Sequence, residues 1–338
     1  MTPEEILAAA QRIAEEVLYP AAIATDRAAI VPVTQLDTLA ASGFYGLPGP
    51  VDAGGLGADF ETLCAVIEIL AGACLTTTFV WVQHLGAVRA AAASTRTGIK
   101  DRWLLDLGRG ACRAGVALTG LIPGPSQLTA RPVPGGVILD GIAPWVSGWE
   151  RIDVIHAAAR DPDDNVVWSF VDATEGPTLR VERLDLVAIQ ASATVRLRFQ
   201  EHLVHSDRIV DVVPPSQWSL PNPGTIRVHA AMILGVASRC CALLGPGPME
   251  DELAGHRAAL DQAMAAQDFG AMAQARAGAA EFALRASGRL MVSTGSRSVL
   301  LDQHPQRLAR EALFFLVYGS RPQVKAALLE RLASRRVP

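Results

Sequence analysis

Between residues 111 and 203 the chain consists of short β-branched runs cut by Gly, Pro and Asp. Partial alternation of apolar and polar residues at 137–139, 153–157 and 195–199 predicts antiparallel strands joined by turns. The flanks obey another period. Before residue 111 and after residue 223, Ala, Leu and Arg dominate and apolar residues recur at three- and four-residue spacing, the repeat of a helix. A β block between two helical parts is an α+β arrangement, and it divides the chain into 1–112, 113–215 and 216–338. A ligand is most economically placed where the three pieces meet.

Composition narrows the partners. Of 338 residues, 50% are hydrophobic and 19% charged, so many helices are covered on several sides, within the chain or by other subunits. We therefore expect an oligomer. A net charge of −4 leaves no basic footprint for nucleic acid. The first twenty residues are acidic and amphipathic, without the positive start and apolar core of a secretion signal. The most apolar run, 228–245, carries His229 and Arg239 and reads as a buried helix rather than a membrane span. Five cysteines without CxxC spacing imply reduced thiols, and a cytoplasmic location is expected. His202 and His205, the close histidine pair, face opposite sides of a strand, so no metal site is expected.

Taken in order, Thr2 caps a helix running to Leu18, and a second helix covers 34–42. The glycines of GFYGLPGPVDAGGLGADF form a loop of tight turns, because no strand precedes them as a phosphate-binding loop requires. Helices are expected at 60–74, 77–95, 249–267 and 269–291.

GFYGLPGPVDAGGLG, the following ETLCAVIEILAGACLTTTFVWVQHLGAVRAA, KDRWLLDLGRGACRAGVALTG, PWVSGW and the tail HPQRLAREALFFLVYGSRPQV together resemble the acyl-CoA dehydrogenases. The resemblance implies an N-terminal helical domain, a middle β-barrel domain and a C-terminal four-helix bundle. It also implies FAD between the β domain and the bundle, an acyl-CoA or other acyl thioester stacked on the flavin, and assembly as a homo- or hetero-oligomer. Thr119 matches the family threonine at the flavin, Trp145 would pack against the ring, and Ser147, followed by Gly148, would offer its hydroxyl toward N5. Ser126 and Tyr318 fall at substrate-binding positions. Read without the family, Trp145 fills a β core and Ser147 with Gly148 makes a turn.

Several positions depart from the family pattern. Gly120 and Leu121 replace a Glu-Pro pair after Thr119, Gln190 stands where an arginine is common, and the Arg-x-x-Phe-Gly pattern that reaches a neighbour's cofactor is absent. Above all, Gly319 falls on the catalytic glutamate, the base that removes the α-proton. The relatives' alternative position on the first bundle helix holds Thr225 or Ile226, so no catalytic residue is assigned. Glu311 lies too far along its helix to substitute, and His229 reads as a core histidine. Three functions follow: a flavoprotein subunit that needs a catalytically complete partner, a flavin-dependent monooxygenase of the same fold, or a non-catalytic relative without flavin.

Overall fold

A computed structural model describes residues 1–319 and 321–333. Helix α1 (Pro3–Ile13) starts at a reciprocal cap: Thr2 accepts from the Glu5 amide while the Glu5 carboxylate accepts from the Thr2 amide. The first helix does not stop at Leu18. A wide turn over Ala14–Leu18, in which the Tyr19 amide reaches back to the Ala14 carbonyl, leads into α2 (Tyr19–Arg27). Pro20 lacks the N–H that a regular helix needs there, and the wide turn absorbs that interruption. Next come α3 (Val33–Ala41), α4 (Phe60–Ala73), α5 (Leu75–Ala93) and α6 (Leu105–Arg109).

The glycine-rich loop folds onto itself. A Cβ at Gly55 would lie 2.3 Å from the Gly49 carbonyl oxygen, and the amides of Gly55, Leu56, Gly57 and Ala58 donate to Pro50, Gly46, Gly49 and Leu47 within the loop. Those donors are therefore spent internally rather than presented to a phosphate.

Eight strands follow: β1 (Ala114–Ala117), β2 (Leu128–Val133), β3 (Gly136–Val146), β4 (Val154–Arg160), β5 (Val166–Asp172), β6 (Leu179–Arg183), β7 (Val195–His205) and β8 (Ile209–Val213). They form one mixed sheet in the order β6-β7-β3-β2-β4-β5-β8, with β1 parallel to β4. The sheet is not a closed barrel among the described residues, since β6 and β8 end the path. It is also narrow in the middle, where β2 meets β4 through the single pair Thr129 and Arg160.

The short α7 (Pro215–Trp218) leads to a bundle of α8 (Pro223–Leu244), α9 (Pro248–Ala265), α10 (Phe269–Thr294), α11 (His304–Phe315) and α12 (Pro322–Ala333). Gly245 at φ +80° ends α8, and α9 restarts at Pro248. α8 is long and apolar enough to cross a membrane, yet 67% of its most apolar window is buried within the protein, as expected of a core helix.

One apolar core takes side chains from both helical parts, from Ile6 and Leu70 to Ile233, Phe282 and Leu308. Its tightest crossing joins α4 to α8. A Cβ on Gly235 would stand 2.3 Å from the Glu68 carbonyl oxygen and 2.8 Å from the Gly72 nitrogen, so only glycine lets the helices meet. Replacing Gly235 with Ala should lower stability by about 1–3 kcal/mol, read as a lower midpoint in urea unfolding; an unchanged midpoint would show that the crossing is not so constrained.

Candidate functional site

The turn after α11 carries Tyr318 and Gly319, for which the sequence reading expects a place in the catalytic loop. Phe314 accepts from the amides of Val317 and Tyr318, at 3.2 and 3.0 Å, which folds the chain back at the helix end. The Tyr318 ring then packs on three elements: Phe314 of α11 (5.1 Å between centroids), Phe79 of α5 (5.1 Å) and His229 of α8 (4.8 Å). Burial pushes its hydroxyl up to about 12. From below, Arg276 of α10 donates to the Tyr318 carbonyl.

Gly319 follows at φ +58°. A Cβ added there would lie 2.4 Å from His229 Nδ1 and 2.7 Å from its Cε1. The imidazole of α8 thus fills the space into which a side chain at position 319 would start. His229 Nδ1 is buried without a hydrogen-bond partner among the described residues. Burial first, then the Arg276 and Arg321 charges, push the ring down to about 3, so it is neutral at pH 7.

The carboxylates on the helix before this turn and on α2 are engaged elsewhere. Glu311 is 1% exposed and locked to Arg307 at 2.7 Å, one helical turn earlier. Arg310 makes a forked pair with Asp26 of α2 and donates to the Val187 carbonyl, which ties α11 to the N-terminal helices and to the loop before β7. These groups fix the helix that presents Tyr318.

On the sheet side, Thr119 is 4% exposed in the turn after β1, and Arg160 donates to the neighbouring Gly120 carbonyl. Ser147 is buried, its hydroxyl 2.7 Å from Thr194 Oγ1, and Thr194 in turn meets Ser192. The Gly148 amide donates to the Ser192 carbonyl. Gly148 is glycine for two reasons, φ +89° and Val80 and Ile152 carbons within 3.2 Å of a built Cβ. The Ser147 hydroxyl and the Gly148 amide are thus already engaged with the turn at residues 189–194. Trp145 differs, because 64% of its surface is open whereas Trp81, Trp103 and Trp149 are buried. Its indole does not fill the β core; it leaves an open aromatic face, which fits a flat heteroaromatic ring such as a flavin's. Ser126 forms a local turn with Leu128 at 2.7 Å and makes no recorded contact with Tyr318 among the described residues.

A cleft of ≈ 330 Å³ opens between α4, α5 and the start of α8, lined by Leu63, Val82, Leu85, Arg89, Thr225 and Val228. Gln83 and His229 follow Val82 and Val228 in sequence but do not line the cleft. A wider one of ≈ 830 Å³ lies between α1, α4, α8 and α9, and the arginines lining it are paired: Arg227 with Asp261, Arg239 with Glu15 and Arg257 with Glu68.

Sequence reading missed Arg276 and His84. Arg276 lies on a buried stripe with Met272, Ala273, Ala277 and Ala280, and that helical spacing in AMAQARAGAA is the signal that would have found it. His84 joins the helices to the sheet: Nδ1 accepts from the Ala114 amide, so Nε2 donates to the Leu107 carbonyl, both at 2.9 Å.

Comparison with known proteins agrees with this architecture. Residues 2–111 match the family model described as acyl-CoA dehydrogenase, N-terminal domain. Over 237 residues the chain is 22% identical to 3-sulfinopropanoyl-CoA desulfinase of Paraburkholderia xenovorans, covering 68% of this chain and 61% of that protein. The protein of the same name from Cupriavidus necator is 28% identical over 228 residues, 61% of this chain and 54% of the relative. The matches thus span less than two thirds of either relative. Butyryl-CoA dehydrogenase from Megasphaera elsdenii superposes with a TM-score of 0.82 at 16% identity, covering 99% of both chains. Dibenzothiophene monooxygenase from Paenibacillus sp. A11-2 superposes at 0.75 with 17% identity, covering 99% of this chain and 98% of that one. The acyl-CoA dehydrogenase fold therefore extends over the whole chain.

The buried histidines make stability depend on pH. His84 and His156, like His229, are held near 3 by burial, below the unfolded value of 6.5. The unfolded chain then binds more protons between those limits, so their contribution is full above pH 6.5 and is lost as pH falls toward 3, at up to about 1.4 kcal/mol per pH unit for each group. His156 stacks on Trp168 at 4.3 Å and its Nε2 has no hydrogen-bond partner among the described residues. His156→Phe should keep the stack and flatten the acid side of the stability curve; an unchanged slope would contradict the assignment.

Proposed function

We propose that this chain, which has the acyl-CoA dehydrogenase fold from end to end, is a flavoprotein subunit that binds an acyl thioester and requires a catalytically complete partner for α-proton abstraction. The observation that carries this reading is the turn at Tyr318–Gly319. Position 319 has no side chain, and the His229 ring occupies the place where one would begin. A histidine held near 3 is a poor acceptor for a carbon-bound proton at neutral pH. The names of the relatives, both acting on a CoA thioester, support the ligand class.

FAD is the cofactor this reading calls for, and when bound it supplies a two-electron acceptor. Trp145 would cover one face of its ring, with the turns at Thr119 and Ser147–Gly148 beside it. The chain's own part is positioning. The cleft between α5 and α8 offers Val82, Leu85 and Val228 to an acyl chain, and Phe79, one turn before Val82 on α5, packs with Phe314 and Tyr318. A partner subunit would contribute the base and the missing arm toward the cofactor.

Purified alone, the chain should show little of the visible flavin band and no dehydrogenation of butanoyl-CoA, whereas co-expression with the partner captured from its host should restore both. Full activity of the isolated chain would refute the reading. Oxygen consumption that needs flavin, a reductant and a substrate would favour a monooxygenase instead, and a chain that stays colourless with excess FAD and partner would favour a non-catalytic role. Trp145→Ala should weaken FAD binding roughly tenfold, measured by fluorescence titration. Gly319→Glu alone should gain no dehydrogenase activity, because the new side chain meets the imidazole. Combined with His229→Gly it should raise activity in the presence of FAD roughly 10²-fold or more; equal activities in the single and double variants would contradict the steric argument.

A further inference from the structure

Arg276 is 0% exposed and forms no ion pair among the described residues. One nitrogen, Nη2, donates to the Tyr318 carbonyl, while Nε and Nη1 are buried without an acceptor. A buried cation of this kind is costly unless an anion or several acceptors compensate it, and the other fully buried arginine, Arg307, has such an anion in Glu311. Arg276 has only a peptide carbonyl. Beside it His229 presents a second orphan, Nδ1, at the place a residue-319 side chain would take, and feels the positive charge of Arg276 and Arg321. Where the family resemblance expects a carboxylate, the turn therefore holds surplus positive charge.

We propose that Arg276, with His229 and the Tyr318–Gly319 turn, forms a site for an acidic group carried by the ligand, a carboxylate or sulfinate at the distal end of the acyl chain. A planar guanidinium with two free donors suits a two-oxygen anion, which would accept from Nε and Nη1 together. Neutral His229 would gain a proton near such an anion and donate to it, so its lack of a partner is explained by the same ligand. Val82 and Val228, which line the cleft between α5 and α8, immediately precede Gln83 and His229 in sequence. This substrate class rests on the acyl-thioester reading, but the anion site itself does not.

The test compares succinyl-CoA with butanoyl-CoA, which share a four-carbon acyl chain, by titration calorimetry on the purified chain. Succinyl-CoA should bind roughly tenfold or more tightly, and in Arg276→Met the ratio should fall to near one. Equal affinities in the native protein, or a ratio that survives the substitution, would overturn the proposal and leave the thioester reading intact. If neither thioester binds, that reading fails instead. Acetate and methanesulfinate then decide the site: a rise in melting temperature in the native protein but not in Arg276→Met supports it, and no rise sinks it. Should Arg276→Met fail to fold, Arg276→Lys, which keeps the charge but loses the fork, should lower the ratio, and an unchanged ratio would refute the two-donor contact.

Discussion

The contact between the His229 imidazole and Gly319 is the constraint on which the functional account depends. A ring nitrogen 2.4 Å from the site of a Cβ means that a side chain there would have to displace the imidazole, and φ +58° independently favours glycine. The two residues fit as a pair. Glycine accommodates the histidine, and the histidine fills the volume that glycine leaves. Around them Phe79, Phe314 and Tyr318 bring α5, α8 and α11 to one point, and Arg276 adds α10 beneath.

The same fold reaches that point by several separate devices. The Gly72 and Gly235 crossing sets the spacing of α4 and α8, the forked Arg310 pair holds α11 to α2, and His84 joins α5 to β1. Glu311 and Arg307 pair with each other, though Glu311 Oε2 and Arg307 Nε keep no partner among the described residues. Arg276 and His229 lack even a charged partner of this kind among the described residues, and unspent polarity in a core points to a ligand more directly than a satisfied pair does.

Much of the architecture was legible in the residues. Alternation at 137–139 and 195–199 lies in strands β3 and β7, apolar spacing placed α4 and α5 within one or two residues of their ends, and the apolar run 228–245 marks all of α8 but its first turn. Other features depended on distant parts of the chain. The wide turn at Ala14–Leu18 answers Pro20 only once the helix continues into α2, and the narrow join of β2 to β4 cannot be inferred from local pattern. Gly319 was visible as the position where the family resemblance expects a base, but not its neighbour: His229 lies ninety residues away in sequence, and their contact is made only by the fold. Trp145 read equally well as core filler until its exposure was known.

Proton exchange at the α-carbon tests the central claim most directly. In deuterated water, with FAD added, the purified chain should leave the α-protons of butanoyl-CoA unexchanged by NMR over a time in which a dehydrogenase bearing its glutamate exchanges them. Exchange catalysed by the chain alone, and lost in His229→Ala, would mean that the imidazole at Gly319 is a working base and that the account given for this turn is wrong.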